Sequence, residues 1–184
     1  ERETRRERHA FTVMAGFGID AQMIAETDDE LKARAGWLAY VESLGRAFQN
    51  SEPVDLSIST DEGDAVPDRG HTLLIANCGT LQGGAALLPD ALLDDGLLDL
   101  MLLRAEGVVD WLDTLRNLVW DNGILRKMRR DDSEAQSSES IQLHQAKSAR
   151  VTLTQPVLFE IDGEAVGEVT GFTARVLPGA LQMR

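Results

Sequence analysis

The chain has 184 residues, with 18 Lys or Arg against 31 Asp or Glu, so its formal net charge is −13 at pH 7. A chain this acidic is a poor candidate for holding nucleic acid or an anionic membrane by charge alone, and we expect no nucleic-acid partner. Its 43% hydrophobic and 27% charged residues exclude global disorder. We expect residues 11–184 to form one domain, after a charged linker over residues 1–10.

Strand patterns predominate along the chain. Strands are predicted over residues 11–17, 54–60, 72–78, 97–103, 141–145, 149–154, 157–161 and 171–177. Helices are predicted over 27–48, where Thr27 and Glu30 form a capping box, and over 108–119. Because the strands do not alternate with helices, the pattern predicts a mainly β fold, a β-sandwich with appended helices.

A glycine pattern follows the first predicted strand. Gly16-Phe-Gly-Ile-Asp-Ala21 matches the phosphate loop of dinucleotide-binding folds. Such a site needs another strand, ending in an acidic residue, about 20 residues later. A helix pattern occupies that stretch here, and the next predicted strand ends at Thr60. We therefore interpret the glycines as a tight corner between a strand and a loop.

Residues 79–99 form a long glycine-rich segment that starts where a buried strand is predicted to end. It contains three close carboxylates, Asp94, Asp95 and Asp99. One carboxylate together with backbone carbonyls in a tight glycine loop can hold Mg²⁺. Asp-Asp-Gly is also ordinary turn chemistry, so a plain turn remains the alternative at this point.

Glu160-Ile-Asp-Gly-Glu164 places three acids around one glycine. Asp162-Gly163 predicts a two-residue hairpin turn. A carboxylate at a hairpin tip can project into a cleft and take a proton from a substrate hydroxyl, although an exposed hairpin without a function gives the same local sequence.

The order of these motifs is more specific than any one of them. The chain resembles the C-terminal lobe of bacterial diacylglycerol kinase-like lipid kinases, relatives of sphingosine kinases and NAD kinases. The resemblance covers residues 11–181 and is carried by Gly16-Phe-Gly-Ile-Asp-Ala21, Lys32…Gly36-Trp-Leu-Ala-Tyr40, Ala76-Asn77…Gly83-Gly84…Pro89-Asp-Ala91, Asp94-Asp-Gly-Leu-Leu-Asp99 and Asp162-Gly-Glu164.

The resemblance implies roles for four residues. Glu164 matches the family's general base on the lipid hydroxyl. Asp95 matches the carboxylate ligand of a structural Mg²⁺, and Leu92 and Leu97 match the positions that give it main-chain carbonyls. ATP is bound in that family mainly by an N-terminal lobe with a Gly-Gly-Asp-Gly-Thr loop, a sequence that this chain does not contain.

The resemblance thus implies the substrate-side lobe of an ATP-dependent lipid kinase, inactive without its N-terminal lobe. It implies a cytoplasmic protein with peripheral contact at the inner face of the membrane, and the single cysteine, Cys78, fits a reducing compartment. Two alternatives remain open: a non-enzymatic β-sandwich binding module, and a kinase of the same architecture that acts on NAD or another small alcohol.

Overall fold

A computed structural model describes residues 6–18, 52–79, 88, 90–104 and 141–181 of the chain. Eight strands lie in this part: β1 (Met14–Phe17), β2 (Val54–Thr60), β3 (Val66–Gly70), β4 (Thr72–Ala76), β5 (Leu98–Leu103), β6 (Ile141–Ala146), β7 (Ser148–Ile161) and β8 (Glu164–Arg175). Both predicted helices, 27–48 and 108–119, lie outside the described residues.

The sheet is organised around the 14-residue strand β7. Along one edge, the first half of β7 pairs with β2 and its last two residues pair with β1. Along the other edge, β8 pairs with both halves. In the strand order β3-β2-β7-β1-β4-β5-β6, one edge of β7 is therefore shared between β2 and β1. All pairings in this order are antiparallel.

The two ends of this path come back together, so the sheet is curled. Arg104, just after β5, donates hydrogen bonds to Asp68 on β3 and to Gln142 on β6. The backbone N–H of His71, which follows β3, donates to the carbonyl of Leu103 at 2.9 Å. A sheet closed on itself in this way encloses a core between two layers, as in a β-sandwich.

The core draws side chains from both layers. One cluster joins Val54 and Leu56 of β2 to Leu73 of β4 and Leu102 of β5. Every residue of β4 and of β5 is buried, which is the pattern expected of strands covered on both faces. This confirms a fully buried strand over Thr72–Ala76, whereas Asn77 and Cys78, which the prediction also included, lie beyond β4 and are partly buried.

The glycine pattern at residues 16–21 is explained by packing where the structure describes it. A Cβ on Gly16 would lie 2.1 Å from the carbonyl oxygen of Leu73 on the paired strand β4. Gly18 has a φ of 103°, which favours glycine. Both glycines are needed for the close approach of β1 and β4 and for the turn after β1, which supports the corner interpretation.

The sequence analysis missed β3 and gave several strands the wrong extent; β1, for example, begins at Met14 and not at residue 11. β3 was missed because it is polar and contains Pro67, which is tolerated at a sheet edge. Residues 149–154 and 157–161 are one strand, since a register irregularity between Thr152 and Val157 accommodates Pro156 without ending it. β8 begins at Glu164 and not at residue 171, because pairing with β7 outweighs its glycines and exposed polar residues.

Within the described residues, no helix is long and apolar enough to cross a membrane.

We predict that Leu73→Ala lowers the free energy of unfolding by about 2–5 kcal/mol, because it leaves a cavity at a side chain that is 0% exposed. The matched control is Leu158→Ala, at a side chain that is 50% exposed, which should change stability by less than about 0.5 kcal/mol. Urea denaturation measures both, and equal losses would contradict the core described here.

Candidate functional site at one end of the sheet

The predicted site residues lie at one end of the sheet. Met14 at the start of β1 pairs with Ala76 at the end of β4, and Ala76 pairs with Asp99 near the start of β5. The turn after β7 joins this row, since the N–H of Asp162 donates to the carbonyl of Met14 at 2.8 Å. Three strand spacings separate Asp162 from Asp99, which is roughly 14 Å along the sheet.

Glu164 is the first residue of β8, directly after the turn. Asp162 and Gly163 have φ angles of 48° and 87°. Positive φ at both central residues is the geometry of the tight type I′ hairpin, which the Asp-Gly sequence predicts. The turn pairs Glu164 with Ile161 and leaves the Glu164 side chain exposed. The structure thus presents this carboxylate at a hairpin tip, while its role as a base stays a prediction.

Asp162 has a different environment from Glu164. One carboxylate oxygen, Oδ1, accepts hydrogen bonds from the backbone N–H groups of Val13 and Met14 at 2.9 and 3.0 Å. The other, Oδ2, accepts from the N–H of Thr12 at 2.8 Å and from its hydroxyl at 3.1 Å. A single side chain therefore binds three consecutive backbone groups at the entrance to β1.

These bonds set the pKa of Asp162. Partial burial raises the pKa of this carboxyl, but the hydrogen bonds from the backbone N–H groups of Thr12, Met14 and Val13 outweigh burial and hold the pKa below its ordinary value of 3.8. Hydrogen bonds to the ionised form favour that form. Asp162 is therefore held as a carboxylate in the folded protein.

The glycine-rich segment leaves β4 at the same end of the sheet. The N–H of Leu88 donates to the carbonyl of Gly79 at 3.1 Å. A Cβ on Gly79 would lie 1.7 Å from the carbonyl oxygen of Leu88, so glycine is required for this close approach. Gly79 and Leu88 are therefore held in contact, and the turn that contains Asp95 follows a few residues after Leu88.

Asp95 lies in the turn before β5, where its Oδ1 accepts a hydrogen bond from the N–H of Leu97 at 2.9 Å. Gly96 between them has a φ of 75°. The side chain of Asp95 is exposed, and so is that of Leu92 three residues earlier. A carboxylate and nearby carbonyls in a tight turn are oxygen donors of the kind that Mg²⁺ prefers, so the residues present fit the ion.

Asp99 adds an unusual buried carboxylate to this end of the sheet. The residue is 4% exposed, and its Oδ1 accepts a hydrogen bond from the side-chain amide of Gln145 at 2.9 Å. Its Oδ2 is buried with no hydrogen-bond partner. Burial raises the pKa of Asp99, and the charges of Asp95 and Asp90 raise it further, while the bond from Gln145 opposes this. Negative charge is thus concentrated here, which a cation would offset.

Side chains alone do not make a metal centre in the described part of the chain, because no group of three or more His, Cys, Asp or Glu residues there could hold an ion. A cation beside Asp95 would need main-chain carbonyls, as the resemblance implies for Leu92 and Leu97. The four predicted site residues share an end of the sheet but form two places, the Glu164 turn and the Asp95 turn, separated by β1 and β4.

Sequence reasoning missed the roles of Asp162 and Asp99. The Asp-Gly signal gives the positive φ of Asp162, but its hydrogen-bond partner Thr12 is 150 residues away in sequence. The sequence analysis grouped Asp99 with Asp94 and Asp95 as one of three close carboxylates, and only its register with Ala76 on a fully buried strand shows that it is buried.

Comparison with known proteins identifies the fold family. The family model of the YegS C-terminal NAD kinase beta sandwich-like domain matches residues 13–184. A protein of Stenotrophomonas maltophilia named "Probable lipid kinase YegS-like" is 29% identical over 92% of this chain and 51% of its own length. A protein of the same name from Shewanella frigidimarina is 41% identical over 53% of this chain and 30% of its own length. The chain thus spans about half the length, or less, of these relatives.

Solved structures agree with the fold. A crystal structure of a candidate diacylglycerol kinase from Bacillus anthracis superposes with a TM-score of 0.61 at 22% identity, covering 92% of this chain and 50% of that one. At this identity the likeness establishes the fold alone.

Because the pKa of Asp162 is lower in the folded protein, its contribution to stability is fully present above the unfolded pKa and is lost as the pH falls through the folded pKa. We predict that the free energy of unfolding declines between about pH 5 and pH 3, and that this decline is smaller in Asp162→Asn. Urea denaturation across this range measures it. Parallel pH profiles for the two proteins would contradict the assignment.

Proposed function

The chain belongs to the family of YegS C-terminal NAD kinase beta sandwich-like domains, and from this premise we propose that it is the substrate-side lobe of an ATP-dependent lipid kinase. The acceptor is the hydroxyl of diacylglycerol or a similar lipid. The relatives named as probable lipid kinases support this proposal, in which the residues that bind ATP belong mainly to a further lobe.

The observation that carries the proposal is the exposed carboxylate of Glu164 on a hairpin turn that is anchored at the end of the sheet. In the proposed reaction Glu164 accepts the proton of the lipid hydroxyl as its oxygen forms a bond to the γ-phosphorus of ATP. The bond from that phosphorus to the bridging oxygen breaks, and ADP leaves. Phosphoryl transfer depends mostly on positioning and charge stabilisation, so a well-placed base is the contribution that this lobe can make.

Exposed apolar side chains near the turn favour a lipid over a polar acceptor such as NAD. Leu158 is 50% exposed on β7 and Val166 is 36% exposed on β8, the two strands that the turn connects. A nucleotide acceptor needs polar partners, whereas an acyl chain is bound by apolar surface. In this proposal the lobe works at the inner face of the membrane, and its contact with lipid is apolar because its net charge is −13.

The proposed Mg²⁺ is structural. Asp95 would supply one carboxylate oxygen, and Leu92 and Leu97 would supply main-chain carbonyls. In the strand order, β1 and β4 lie between the Glu164 turn at the end of β7 and the Asp95 turn before β5. In this proposal the ion would therefore stiffen the Asp95 turn and offset the charges of Asp90, Asp95 and Asp99, without contacting the reacting hydroxyl.

We predict that Glu164→Gln lowers kcat of the complete kinase by about 10²–10⁴-fold, the usual cost of losing a general base, without lowering the Tm. Glu168→Gln, also exposed on β8, is the matched control and should leave kcat unchanged. Phosphate transfer from labelled ATP to diacylglycerol in detergent micelles measures both. Wild-type turnover by Glu164→Gln would rule out the proposed base.

We predict that Asp95→Asn abolishes the rise in Tm that Mg²⁺ produces, because binding to the folded state alone raises its stability. In EDTA the Tm of Asp95→Asn should match the wild type. Asp94→Asn, the exposed neighbour, should keep the Mg²⁺ response. Thermal unfolding with Mg²⁺ and with EDTA tests this, and a normal Mg²⁺ response in Asp95→Asn would contradict the site.

A further inference from the structure

Asp162 has two structural roles, one through its backbone and one through its side chain. Its backbone, at a φ of 48°, forms the first corner of the turn that leads to Glu164. Its side chain binds the backbone of residues 12–14 through four hydrogen bonds between 2.8 and 3.1 Å. The turn therefore cannot move relative to the entrance of β1 without breaking several of these bonds.

The segment that Asp162 binds is itself fixed to β4. The carbonyl of Val13 accepts hydrogen bonds from the N–H groups of Asn77 and Cys78, at 2.9 and 3.3 Å. Residue 13 thus stands between two parts of the site: the hairpin turn on one side, and on the other the end of β4, from which the glycine-rich segment leaves. Both parts are therefore hydrogen-bonded to the same residue of the backbone, Val13.

We propose that Asp162 is the positioning residue for Glu164: its carboxylate clamps the backbone of residues 12–14 and so holds the Asp-Gly-Glu turn in place at the end of the sheet. Asp162 does not touch the substrate in this proposal. The inference rests on the proposed function, in which Glu164 is the base.

The chain contains a matched control for this clamp. Asp61, in the turn between β2 and β3, also has a positive φ, 47°. Its carboxylate accepts a hydrogen bond from the N–H of Ser148 at 2.9 Å, and its own N–H donates to the Ser148 carbonyl at 3.1 Å. Asp61 thus fixes the first residue of β7, whereas Asp162 follows its last residue. Loss of either clamp costs stability, but only Asp162 leads to Glu164.

The test uses the complete kinase with Asp162→Gly, Asp162→Asn and Asp61→Gly. Glycine adopts the positive φ without strain, so Asp162→Gly removes the carboxylate and spares the turn. Asn keeps one acceptor oxygen and tolerates the same φ, so Asp162→Asn gives a milder variant that folds if the glycine variant does not. Amide hydrogen exchange at residues 12–14 and at Ser148, kcat, and KM for MgATP and diacylglycerol are measured for each.

We expect Asp162→Gly to speed exchange at residues 12–14 and to lower kcat by about 10²-fold, the cost of misplacing a reacting group by about 1 Å, with KM for MgATP unchanged. Asp162→Asn should show smaller changes of the same kind. Asp61→Gly should speed exchange at Ser148, lower the Tm, and leave kcat unchanged.

The clamp as a positioning device would be overturned by exchange at residues 12–14 that does not change in either Asp162 variant, or by faster exchange with wild-type kcat. An equal loss of kcat in Asp61→Gly would also overturn it, because global destabilisation would then explain the effect. A failure of the proposed function is distinguished by Glu164→Gln. Wild-type turnover in Glu164→Gln would show that Glu164 is not the base. The exchange data test the clamp independently of that result.

Discussion

The pairing of β7 is the constraint on which the rest of the described structure depends. Its 14 residues are held along one edge by β8, while the other edge is shared between β2 and β1. β7 is the only described strand that pairs with three others, so β2, β1 and β8 all take their positions in the sheet from it. The pairing of β7 also positions the candidate site, because the turn that follows β7 contains Asp162 and leads to Glu164.

The acidic residues of the site have the same chemistry but different tasks, and their surroundings separate them. Asp162 is bound by backbone N–H groups, which stabilise its charge. Asp99 is buried with one oxygen unpartnered, which disfavours its charge. Glu164 is exposed and available to a substrate. The carboxylate that we propose as the base is thus placed beside one whose charge is stabilised by backbone N–H groups.

Local patterns predicted most of this fold, and long-range contacts account for the rest. The bounds of β2 match the alternation of apolar and polar residues, and the Asp162-Gly163 turn matches its dipeptide, because both depend on neighbours in sequence. β3 was missed because an edge strand needs no apolar pattern. The clamp of Asp162 could not be predicted, since nothing in the sequence of residues 12–14 distinguishes the N–H groups that bind it from those of any other strand entrance. The roles of Glu164 and Asp95 came from family resemblance and not from their spacing.

The contacts that complete this end of the sheet also set an order of events when the protein is made. Thr12 and Asp162 are 150 residues apart, so the segment before β1 leaves the ribosome long before its partner has been translated. β1 can pair with β4 early, but its second edge has no partner until β7 is made, and the entrance segment has none until Asp162 follows it. Closure over so long a separation is slow, and the unpaired edge stays exposed in the meantime. Synthesis of the last strands, rather than of the buried central ones, is therefore the step that ends the vulnerability of the nascent chain to aggregation.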